Sequence, residues 1–109
     1  MRLLDSSDVA GLLSLEALLP VVEEAFVRQG RGEVERPPRP HHPIGRGLDG
    51  DDPLATGLTM PAYVHGSPYA VTKLATVLHD PPPGEPTVRA QVLVADARTG
   101  EPVALLAGE

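Results

Sequence analysis

The second half of the chain alternates with a period of two, and that pattern decides most of what it can fold into. In YAVTKLATVLH, residues 69–79, one side of an extended strand takes Val71, Lys73, Ala75 and Val77. The other side takes Ala70, Thr72, Leu74, Thr76 and Leu78. VRAQVLVAD repeats the arrangement, with Val88, Ala90, Val92 and Val94 set against Arg89, Gln91, Leu93 and Ala95. GLTMPAYV before these segments and VALLA after them complete the set, which predicts strands near 57–63, 70–79, 88–96 and 102–107. Pro61 lacks an N–H, so its strand belongs at an edge or carries a bulge. DARTGEP reads as a hairpin turn in which Gly100 can supply a positive φ.

The first third has a different period. Arg2, Leu3 and Leu4 read as a short strand, and DSSDVAGLL as a helix start with Asp5 or Ser6 as N-cap and Asp8 in the first turn. Leu15, Leu18, Leu19, Val22, Ala25 and Phe26 then share one helical face, while Glu16, Glu23 and Arg28 point away. Helices are expected within residues 6–13 and 15–30, with a kink or a true start at Pro20 and an end at Gly30 or Gly32. The fold class is α+β: two N-terminal helices followed by a mixed or antiparallel sheet of about four to six strands.

Composition narrows the function classes. A chain of 109 residues suits one domain, 1–109, and with 41% hydrophobic but 3% aromatic residues its core must be Leu, Val and Ala. A net charge of −6 argues against a nucleic-acid partner. No window is apolar enough to span a membrane, the N-terminus reaches Asp5 without a signal-peptide core, and no cysteine is present, so a cytoplasmic location is expected. Of the 11 glycines and 13 prolines, 15 crowd into residues 30–53 and 81–86. Residues 35–56 therefore read as one long loop, poorly ordered around GRGLDGDD.

Four features invite chemistry. GRGLDG has the spacing of a dinucleotide loop at Gly45, Gly47 and Gly50, but lacks the strand before and the helix after that such a loop needs, so it reads as a coincidence. His41 and His42 near Asp49, Asp51 and Asp52 match no zinc or EF-hand spacing, and no metal is expected. Arg36 and Arg39 are stiffened by Pro37, Pro38 and Pro40, which suits a guanidinium aimed at a carboxylate; two solvated arginines are the plainer reading. Lys73 is the only lysine. It reads either as a guard on an edge strand or as an ammonium in a partly apolar cleft, where lost water strengthens its hold on an anion.

Taken in order, RPPRPHHP, LTMPAYV, VTKLATV and GEPTVRAQVLVADARTGEPVALLAGE, after a two-helix start, resemble the ornithine cyclodeaminase/μ-crystallin family. MPAY, the TK strand and TGEPVALL carry most of the specificity. The resemblance covers the whole chain but about the first third of a family member. It implies an N-terminal substrate-binding and dimerisation domain, normally joined to a Rossmann domain that binds NAD or NADP. It assigns Arg39 and Lys73 to the carboxylate of an amino or imino acid, with no catalytic, cofactor-binding or metal-binding residue in this stretch. The family's further carboxylate-binding arginine, its glycine-rich nucleotide loop and its acidic catalytic residue have no counterpart here. The expectation is thus a fragment or truncated product that binds no nucleotide and does not catalyse alone. A stand-alone, non-catalytic ligand-binding or dimerisation module is the other reading. The partners expected are a small amino or imino acid and a second copy of the chain.

Overall fold

The computed structural model describes residues 1–12 and 15–107. The four alternating segments form the long strands β4 (Ala55–Val64), β5 (Tyr69–Leu78), β6 (Val88–Asp96) and β7 (Pro102–Ala107). Each is antiparallel to its neighbour, with Met60, Lys73 and Val92 in register across β4, β5 and β6. Opposed residues share a face, so Leu58, Met60, Ala62, Val71, Lys73, Ala75, Ala90 and Val92 stand on one side of the sheet. The β6–β7 hairpin closes on Gly100, whose φ is 76° and whose N–H donates to the Asp96 carbonyl at 2.8 Å. One Asp96 carboxylate oxygen accepts the Arg98 and Thr99 amides at 2.8 and 3.1 Å, which fixes the turn.

Strand β1 (Arg2–Leu4) joins the far edge parallel to β7, so the sheet is mixed. Helices α1 (Ser6–Leu12) and α2 (Leu15–Gly30) follow β1, and α2 runs through Pro20. Leu13, the expected end of the first helix, lies outside the described residues. Two further strands, β2 (Val34–Glu35) and β3 (His41–Ile44), both pair with β4, giving a seven-stranded sheet of order β1-β7-β6-β5-β4-β2 with β3 beside β4. This corrects the reading of residues 35–56 as one loop. Residues His41–Ile44 are all exposed, so no alternation of burial marks them, and they are strand because their backbone completes the edge of β4. Residues 45–54, which include GRGLDGDD, remain turns and bends.

The core is thin. Among the described residues only Ala55, Ala75 and Ala90 are buried hydrophobics, at 2%, 7% and 1% exposure. The apolar face of α2 is uncovered, with Phe26 68% exposed.

Helix α1 is held by its cap. Asp5 accepts the Asp8 amide at 2.8 Å and the Ser7 hydroxyl at 2.9 Å, while Asp8 accepts the Asp5 amide at 3.1 Å. The bond from the Asp8 amide, followed by that from Ser7, holds the Asp5 carboxyl below its ordinary value of 3.8. A depressed carboxylate stabilises the folded state above the unfolded value and loses that contribution as pH falls through the folded one. Protection of the Asp8 and Val9 amides, relative to their intrinsic exchange rates, should therefore fall once pH drops below 3.8, and in Asp5→Ala the acid-dependent step should vanish. An unchanged acid step in that variant would show that another group caps the helix.

Candidate ligand-binding site

The site arises from a mismatch on the outer edge of β4. Strand β2 pairs up to Glu35 opposite Tyr63, and β3 resumes with His41 opposite Leu58. Five residues, 36–40, thus face four, 59–62, and the outer chain arches away. The Thr59 amide donates to the Pro40 carbonyl at 3.2 Å and pins one foot of the arch. Pro61 falls inside the gap, where no outer strand needs its missing N–H, which is the edge position its sequence calls for.

The arch keeps its shape because Arg36, Pro37 and Arg39 each precede a proline and are steered to extended conformations. Beneath it lies a cavity of about 430 Å³ lined by Arg36, Pro37, Pro38, Arg39, Met60 and Ala62. Met60 and Ala62, two residues apart on β4, supply an apolar floor. Among the described residues no carboxylate lines the cavity. The ion pairs among the described residues are Arg28–Glu33, His65–Glu35 and Arg89–Glu85, and none involves Arg36, Arg39 or Lys73. Glu35, next in sequence to Arg36, accepts from or donates to nothing in the arch: its carboxylate meets His65 Nε2 at 2.8 Å.

The two residues singled out from the sequence are placed unequally. Arg39 lines the cavity directly. Lys73 does not, but it is half-buried on the same sheet face, directly opposite the lining residue Met60. Strand β5 is paired on both sides, to β4 and β6, so Lys73 does not guard an edge. Arg36 is the residue that the family resemblance does not point to; the available signal was its spacing of three from Arg39 across two prolines. The charged groups in the lining are two guanidiniums, an arrangement suited to binding an anion.

The remaining motifs resolve into structure. Against the sequence reading, a strand does precede GRGLDG, since β3 ends at Ile44; the segment then connects to the antiparallel strand β4 with no helix N-terminus after it, and so does not fit a dinucleotide pyrophosphate. His42 and Ile44 cover Gly57, where an added Cβ would stand 2.8 Å from a carbon of each. Among the described residues no cluster of three or more His, Cys, Asp or Glu could hold a metal ion. A second cavity, of about 410 Å³, contains His79, Asp49 and Asp80 and no lysine or arginine, and His79 is hydrogen-bonded to Thr56 at 2.9 Å. No helix among the described residues is long and apolar enough to cross a membrane.

The family model for ornithine cyclodeaminase/mu-crystallin matches residues 1–109. The chain belongs to that family. A search of curated proteins gives no match. Among solved structures, it is similar to the Thermococcus litoralis Δ1-pyrroline-2-carboxylate reductase solved with NADH and L-proline, at 29% identity and a TM-score of 0.80, over 99% of this chain and 32% of that one. It is also similar to an archaeal alanine dehydrogenase dimer with bound NAD, at 26% identity and a TM-score of 0.80, over 98% and 31% of the two chains. A probable ornithine cyclodeaminase from Bordetella pertussis, at 21% identity and a TM-score of 0.76 over 98% and 30%, shares the fold. The family member described here thus spans about a third of the length of the solved structures it matches.

Proposed function

We propose that this chain is the N-terminal substrate-binding and dimerisation domain of an NAD(P)-dependent ornithine cyclodeaminase- or ketimine reductase-like protein. Its part in the reaction is to hold the carboxylate of an amino or imino acid between Arg39 and Lys73. The observation that carries this reading is that Arg39 lines a cavity with no carboxylate among the described residues, while Lys73, outside that lining, pairs across from its floor residue Met60. A guanidinium can grip a carboxylate with two parallel bonds, and an ammonium adds a third donor, so the pair can satisfy one carboxylate and fix its orientation. The pyrroline-2-carboxylate reductase and alanine dehydrogenase named above handle small carboxylates of this class, which supports the choice of ligand. Nicotinamide nucleotide would supply the hydride at the carbon bearing nitrogen. The GRGLDG turn does not fit it, so these residues orient the substrate and leave that step to others.

Titration of the isotopically labelled chain with L-proline tests the reading. Chemical shifts should move at Arg39, Met60, Ala62 and Lys73 together. Shifts confined to the second cavity, around His79 and Asp80, would overturn it.

A further inference from the structure

Arg39 has a companion that one carboxylate does not require. Arg36 lines the same cavity, lies three residues earlier, and has only prolines between itself and Arg39. A polyproline II segment turns once every three residues and rises about 3.1 Å per residue. Both arginines line one cavity, and a spacing of three in such a segment puts two side chains on one side with roots about 9 Å apart. The floor below, Met60 to Ala62, runs about 7 Å along β4 and is apolar. The arrangement is two arginines over a short apolar floor, while Glu35, next in sequence to Arg36, is engaged by His65.

We infer that the cavity takes an amino or imino acid bearing a second acidic group, and that Arg36 grips this second group. This rests on the proposed assignment of Arg39 and Lys73 to the first carboxylate and adds the substrate class. With Arg39 and Lys73 already supplying three donors, a single carboxylate has little acceptor capacity left for Arg36. A second carboxylate at the end of two or three methylenes would lie over Met60 and Ala62 and meet the Arg36 fork. A substrate with an apolar tail would leave that guanidinium without an anion in a site that holds no acid of its own.

Calorimetric or NMR titration of the chain with L-glutamate and L-norvaline isolates the second group, because the two share a carbon chain and an α-carboxylate. Glutamate should bind at least tenfold more tightly. Arg36→Gln should bring the ratio near one by weakening glutamate far more than norvaline, whereas Arg39→Gln should weaken both. Arg98→Gln, the same charge change at the β6–β7 turn, should leave the ratio intact. Equal binding of the two ligands, or loss of the preference in Arg98→Gln as well, overturns the dicarboxylate inference while the Arg39–Lys73 reading stands. If norvaline and glutamate both fail to bind, or both are indifferent to Arg39→Gln, the carboxylate reading falls and this inference with it.

Discussion

Lys73→Ala is expected to weaken binding of the amino- or imino-acid carboxylate by roughly 2–5 kcal/mol, the range for removing one partner of a desolvated charge pair. That is about 30-fold to several thousandfold in Kd. The size follows from the position. Lys73 is half-buried on a central strand, between Met60 and Val92, and no ion pair among the described residues involves it. An exposed ion pair would contribute only ~0–1 kcal/mol and tolerate alanine easily. Arg39→Ala should act in the same direction, and the double variant should lose less than the sum, because both side chains serve one ligand group. Folding stability should change little in either, since each removes an uncompensated cation together with its packing. Titration calorimetry and thermal melts separate the two effects. Wild-type affinity in Lys73→Ala would refute the clamp.

How much of this was legible beforehand varies with the physics behind each element. The long strands were, because alternation is written in side chains: β6 and β7 begin and end where Val88, Asp96, Pro102 and Ala107 place them. Helix α2 was, through the spacing of its apolar residues, although the sheet leaves Phe26 exposed. Strands β2 and β3 were not. They are two and four residues long, and the pairing that makes them strands is made by β4's backbone, which no side-chain pattern records. The same limit hid half of the site. Lys73 and Arg39 could be singled out as residue types in an unusual setting, but the cavity depends on five residues facing four, a register mismatch visible only once β2 and β3 are both paired. Arg36, paired with Arg39 in the sequence reading but not assigned by the family resemblance, is placed in the same cavity only then.

The uncovered sheet carries the other large expectation: the protein should be a homodimer whose melting temperature rises with concentration. A stable domain needs two packed layers, and here three alanines are the only buried hydrophobic residues among those described, while Phe26 of α2 stays 68% exposed. Leu74 and Val88 are 45% and 44% exposed on opposite faces of the sheet. A second copy is a suitable cover because a two-fold axis sets the same apolar patch against itself. An interface of about 800 Å² per partner would be of ordinary size for a stable dimer. Because association favours only the folded state, dilution should lower the melting temperature, whereas a self-sufficient monomer melts at one temperature throughout. Leu74→Asp and Val88→Asp, one on each face, then locate the interface. The variant on the buried face should dissociate the dimer and melt independently of concentration, while the other behaves as wild type. A monodisperse monomer by light scattering at high concentration, with a constant melting temperature, would show that this thin core suffices alone.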